Sequence, residues 1–228
     1  MRRMSHSSLK TRTAAPLEST TTGAGRASGK PPSVDKLRRD RTHRRLLAAA
    51  MALVGRGRVP SVPEVALKAG VSRATAYRYF PSRSQLISTV VAESLGPVRR
   101  YIPKAADGGE RVRELFSQTF PHFKEFEPHM RAALQLSLEH ESLTRAGLLE
   151  EKAYRRGFRR RLLRRAAAPL KERLGSRRFG HLLKALSVVY GVEPYMILKD
   201  IWGSSDREIE TITLWMVDAL LAAALHDP

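Results

Sequence analysis

The sequence predicts an all-α chain, a three-helix helix-turn-helix head followed by a larger helical part, and three observations carry the prediction. Beyond Leu95 apolar residues recur at helical spacing, with no convincing alternating stretch. Hydroxyl residues precede Glu or Gln by three positions at Ser61/Glu64, Ser82/Gln85 and Ser205/Glu208, the signature of capped helix starts. Two short helices meet at Gly70, and a glycine there can supply the left-handed residue that ends the first of them.

Residues 1–33 are rich in Ser, Thr, Gly, Pro and Arg and poor in apolar side chains, so burial cannot offset the entropy of ordering. They are expected to form a disordered basic arm. Lys36, Arg38, Arg39, Arg41, Arg44 and Arg45 then lead into a first helix, and Arg41 and Arg44 are expected to reach phosphates. The second helix starts at the Ser61/Glu64 box, with Pro63 in the first turn where its missing N–H costs little. Val65, Ala66 and Ala69 form its apolar stripe. Ser72 caps the third helix, which ends near Phe80 because Pro81 drives the preceding residue out of the α region. The fourth helix opens at Ser82 and buries Leu86, Ile87, Val90 and Val91.

On a wheel of about 100° per residue, Ala76 and Phe80 of the third helix point inward. Ala74, Thr75, Arg78 and Tyr79 fall opposite, with Arg73 and Tyr77 on the flanks. Arginine can fork onto guanine O6 and N7, a threonine methyl can touch thymine, and tyrosine hydroxyls can reach phosphate oxygens. Such a helix fits the DNA major groove.

The run Ala-Gly-Val-Ser-x-x-Thr-x-Tyr-x-Tyr-Phe from Ala69 to Phe80, followed by Pro-Ser-Arg and Leu86, resembles the TetR family of bacterial transcriptional regulators. The Leu46–Val54 run is similar to that family's first helix, and the likeness covers roughly residues 41 to 95. The resemblance implies a homodimer on double-stranded DNA, with an all-helical C-terminal domain that dimerises and takes a small effector. It implies DNA contacts at Thr75, Tyr77, Tyr79 and Arg83, the last often lysine in the family. Arg73 and Arg78 are added on chemistry alone. The domains expected are the arm 1–33, the DNA-binding head 34–95 and the effector and dimerisation part 96–228.

Beyond Leu95, Gly96-Pro97 interrupts the fourth helix, and Pro103 with Asp107-Gly-Gly109 marks the connection to the second part. Helices are expected over about 110–125, 128–140, 144–173, 177–200 and 205–225. The last is apolar nearly all round and so needs burial on most sides. Ile212, Trp215, Met216 and Leu220 are expected at the dimer interface. Phe116, Phe120, Phe123, Met130, Leu134, Tyr154, Phe158 and Tyr190 are the candidates for lining an apolar effector pocket.

Lys+Arg number 41 against Asp+Glu 22, a formal charge of +19 that favours polyanions without choosing DNA. A non-specific or architectural nucleic-acid binder is therefore the alternative function. The basic cluster from Arg155 to Arg178 lies far from the reading head and is not explained by it. With no cysteine, disulfides, thiolate zinc sites and cysteine nucleophiles are excluded. His122, His129, His140 and Glu141 lack metal-ligand spacing, and no phosphate-cradling glycine loop or nucleophile–base spacing suggests an enzyme. No cofactor beyond an unidentified effector is expected. No run is expected to span a membrane, since Asp218 breaks the greasiest stretch, and the expected location is the bacterial cytoplasm, at the nucleoid.

Overall fold

A computed structural model describes residues 33–154 and 157–226; the expected basic arm, apart from Ser33, lies outside them. The described residues hold helices and turns and no strand. Helix α1 (Val34–Val54) starts at Ser33, whose hydroxyl accepts the Lys36 amide at 3.3 Å. At 21 residues it runs about 31 Å. Only its C-terminal half is buried, through Leu46, Ala49, Ala50, Leu53 and Val54. The basic run expected to precede the first helix is thus its exposed first half.

Helices α2 (Val62–Ala69) and α3 (Arg73–Tyr79) form the helix-turn-helix. The Ser61 hydroxyl accepts the Glu64 amide while the Glu64 carboxylate accepts the Ser61 amide. Gly70 adopts φ 63°, and the chain turns there. Arg45 Nη2 donates to the Ala69 carbonyl at 2.7 Å, so a cation from α1 satisfies an orphan acceptor at the end of α2. Ser72 accepts the Thr75 amide and Ser82 the Gln85 amide, starting α3 and α4 (Arg83–Ser94). Leu46, Ala50, Val65, Ala66, Ala76, Phe80, Leu86 and Ile87 close the head's core.

After the short α5 (Gly96–Arg100), the helices α6 (Gly108–Glu125), α7 (Glu127–Arg145), α8 (Phe158–Ala166), α9 (Leu170–Val189), α10 (Val192–Met196) and α11 (Asp206–His226) build the second part. A π turn, Ile197–Ile201, follows α10. Gly108 lies so close to Leu170 that a Cβ would sit 2.5 Å from Leu170 Cγ, so only glycine admits this approach. Pro121 is carried inside α6 without ending it.

Two expected helices are corrected. The span 144–173 breaks after Arg145: Gly147 takes φ 69°, residues 148–154 are not helical, and α8 begins only at Phe158. The span 177–200 is shifted and split: α9 starts at Leu170 with a kink at Gly175, and Gly191 at φ 120° ends it. Single glycines with positive φ decide both places, and helical periodicity does not report them.

By length and composition, α11 is apolar enough to cross a membrane, with a mean hydropathy of 1.4, contrary to expectation. In this fold it packs on α6 and α9 instead. Its Asp218 pairs with Arg113 of α6, and Ile209, Thr213, Val217 and Leu221 form its buried stripe.

Candidate nucleic-acid interface and the cavity behind it

Helix α3 is held by Ala76 and Phe80, both essentially without exposure, and everything else on it faces outward to some degree. Arg73, Ala74 and Arg78 are exposed, and Tyr77 is 45% exposed. Thr75 is half-buried, and its hydroxyl oxygen accepts from Ser72 at 2.9 Å. Tyr79 is also half-buried, its ring 6.1 Å from that of His43, so its placement fully opposite the core is corrected. The cause is α1, whose N-terminal half passes over that flank.

Arg41 and Arg44 are exposed on α1. The groove between α1 and α3, about 630 Å³, is instead lined by Asp35, Arg38, Arg39, Thr42, Thr75, Arg78 and Tyr79. From the sequence Arg38 and Arg39 read only as part of a charge run. The signal that singles them out is the i, i+3, i+4, i+7 stripe of Asp35, Arg38, Arg39 and Thr42, which places them beside α3, with Arg44 round the helix.

Arg83, expected as a DNA contact, is engaged within the chain. Its Nη1 donates to Glu139 on α7 at 2.8 Å and its Nη2 to the Val59 carbonyl at 2.8 Å. The guanidinium is therefore committed to a tie between the head and α7. Glu139 lies 56 residues away, so no local pattern reveals it.

Residues 46–90 match the family model described as "Bacterial regulatory proteins, tetR family". Through this head the chain is similar to the TetR family. The HTH-type transcriptional repressor LfrR of Mycolicibacterium smegmatis is 38% identical over 56 residues, 25% of this chain and 30% of that protein. The match thus spans under a third of the repressor's length. Two crystal structures share the wider fold: a TetR transcriptional regulator from Rhodococcus sp. RHA1, and a tetR-family regulator from Streptomyces coelicolor. The first has TM-score 0.54 at 19% identity, over 82% of this chain and 98% of that one. The second has TM-score 0.52 at 20% identity, over 81% of this chain and 82% of that one. At such identities the likeness speaks for the fold alone.

Behind the TetR-type head lies an apolar cavity of about 150 Å³. Ser88 and Val91 of α4, with Leu95 just past its end, line it together with Phe123 of α6 and Met130 and Ala133 of α7. Tyr154, Phe158 and Tyr190 complete it. Five of the eight expected lining residues meet here. Phe116 and Phe120 do not: they pack with Tyr190 and Tyr195 around a void of about 10 Å³, room for one water at most. Leu134 lies on a separate outer groove beside Pro128 and Met196. The α4 wall was missed, because α4 reads from sequence as part of the head. Tyr190 donates to Thr119 Oγ1 at 2.9 Å, and burial pushes its phenol well above the ordinary range.

The segment after α7 joins this cavity to the head. The Ser84 amide, in the first turn of α4, donates to Glu151 Oε2 at 2.9 Å, and Ser84 Oγ donates to the Lys152 carbonyl at 2.9 Å. The Tyr154 amide donates to His140 Nδ1 at 3.0 Å, which makes that nitrogen an acceptor and assigns the ring proton to Nε2, 3.4 Å from Glu151 Oε1. Burial alone would raise the Glu151 carboxyl; the Ser84 amide, the Ser82 hydroxyl and His140 outweigh it and hold the group below its ordinary value. Buried His129 has its pKa lowered by desolvation, and among the described residues no acid–histidine group is arranged to hold a metal ion.

Of the residues expected at a dimer interface, Trp215 is 69% exposed, while Ile212, Met216 and Leu220 are half-buried. On α9, which packs against α11, Val188 is 71% exposed.

Proposed function

We propose that this chain is a ligand-responsive transcriptional repressor that binds a palindromic operator as a homodimer. The observation that carries the reading is α3, a short helix fastened by Ala76 and Phe80 that presents Arg73, Tyr77 and Arg78 to solvent beside the basic half of α1. Arg73 and Arg78 read base edges, Tyr77 and Thr75 position the helix, and Arg38, Arg39 and Arg41 hold phosphates.

A single seven-residue helix contacts few base pairs, so specificity calls for two heads about 34–36 Å apart on successive major grooves. The uncovered apolar side chains of α9 and α11 supply a surface on which a twin subunit can fix that distance. Ligand release follows from the cavity wall. α4 carries Ser88 and Val91 into the cavity, with Leu95 just past its end, and its first turn is bound to Glu151 and Lys152. A ligand that shifts α4 moves α3 with it, at a coupling energy of typically about 1–3 kcal/mol. No cofactor and no catalytic step enter this reading, which places the protein on DNA in the bacterial cytoplasm.

Selection of bound fragments from random DNA tests it. A two-fold symmetric consensus, preferred over bulk DNA by roughly 10³ or more at physiological salt, is the expected result. Sequence-independent binding that collapses uniformly with salt would leave the architectural alternative.

A further inference from the structure

The ligand-responsive reading says nothing about the chemistry of the ligand, and the basic cluster beyond the head supplies it. The apolar cavity shares Tyr154, Gly157 and Arg159 with a wide trough of about 1020 Å³. Arg160, Arg161, Arg164 and Arg165 of α8 line that trough. α8 carries five arginines in nine residues and no acid. Arg160 with Arg164, and Arg161 with Arg165, are like-charge pairs at i, i+4, an arrangement that costs helix stability.

Internal partners do not relieve this charge. Arg159 is the exception, bound to Glu193 at 2.6 and 2.7 Å and to the Ser187 carbonyl. Among the described residues, no carboxylate lies within ion-pair distance of Arg160, Arg161 or Arg164, all of them exposed. At the cavity's rim Arg99 stands over the Phe158 ring, 5.6 Å from its centroid. An apolar hole thus opens onto a band of unneutralised guanidinium groups, each able to fork onto a carboxylate or phosphate.

We propose that cavity and trough together bind an amphipathic organic anion. Its apolar end is about the size of a benzene ring, which a 150 Å³ apolar cavity accepts. Its carboxylate or phosphorylated body lies on Arg160, Arg161 and Arg164. This rests on the ligand-responsive reading and narrows it; cationic amphiphiles are excluded by the same guanidinium band.

Isothermal titration of the full chain, without DNA, is the test, with four probes sharing one ring: benzoate, benzoyl-coenzyme A, benzyl alcohol and benzylamine. Expected is tighter binding of an anion than of the alcohol, and none of the amine. Preference for benzoyl-coenzyme A over benzoate identifies a phosphorylated body; the reverse identifies a free carboxylate. The triple substitution R160Q/R161Q/R164Q is expected to weaken the bound anion at least about tenfold, through loss of charge-assisted contacts, and to leave benzyl alcohol unchanged. Ala133→Phe, which fills the cavity, is expected to abolish binding of the ring while the helical circular dichroism is kept.

Equal affinity for anion and alcohol, or anion binding untouched by either variant, overturns the proposal. So does a triple variant that loses DNA affinity and retains the ligand, since the trough is then a DNA surface. Operator release is scored separately. Anion binding without release refutes ligand control and leaves this site standing. Release by another compound, with no anion bound, does the opposite.

Discussion

Trp215→Ala separates a paired molecule from a solitary one. The indole is 69% exposed on the single subunit, and a large aromatic offers up to about 250 Å² of surface, so roughly 170 Å² awaits cover. At about 25 cal/mol per Å² its burial against a twin is worth roughly 4 kcal/mol per copy. Neighbours recover part of that on truncation, so about 2–4 kcal/mol is expected, the range of an interface hot spot. A two-fold interface contains the change twice. The dimer constant should therefore weaken by at least ~10³. Sedimentation equilibrium over a concentration series reads it directly. Thermal unfolding followed at high dilution should change little, because the side chain has few contacts within its own subunit. A dimer constant altered less than about threefold, well short of the tenfold that ~1.4 kcal/mol produces, would refute the assignment of this face. So would an unsubstituted chain that sediments as a monomer at every concentration.

Four other outcomes are expected. Arg78→Ala should cost about 1–3 kcal/mol and relax preference at one operator position, whereas Arg39→Ala should weaken all sequences and reduce the salt slope by about one, both read by fluorescence anisotropy. Arg83→Ala should lower the urea midpoint by the equivalent of about 1–2 kcal/mol while leaving the affinity of the folded protein for operator nearly unchanged, because its partners are Glu139 and Val59. Gly70→Ala should destabilise the head by about 1–2 kcal/mol in urea, since φ 63° penalises a Cβ. Glu151 is held below its ordinary value of 4.5, so its ionisation stabilises the fold above that pH and the contribution is lost as pH falls through the folded value. Glu151→Gln should accordingly be less stable than the parent at neutral pH, and the gap in urea midpoints should close on acidification below 4.5.

The head was legible because its instructions are local. Ser61 with Glu64, Gly70, Ser72, Pro81 and Ser82 each act on backbone within four residues, so reading order and spacing recovers the turn and both helices. The inward pair Ala76 and Phe80 follows from the period of α3 alone. The second part resisted where a single residue overrules a pattern. Gly147 and Gly191 end helices that apolar periodicity would continue, and a glycine's choice of positive φ depends on what surrounds it. At Gly191, a Cβ would meet Arg159 at 3.2 Å, a contact set by tertiary packing.

The candidate site divides the same way. Residue types and helical spacing determined by themselves that α3 turns arginine and tyrosine outward, and that α11 is too apolar to stand alone. Only the tertiary structure decided that Arg83 is spent on Glu139, that Tyr79 leans on His43, and that α4 serves both the head and the cavity. It also decided which of eight apolar candidates share one space and which are filler. The physical reason is range: capping and amphipathicity act over a turn of helix, whereas an ion pair or a cavity joins residues that chain order keeps tens of positions apart.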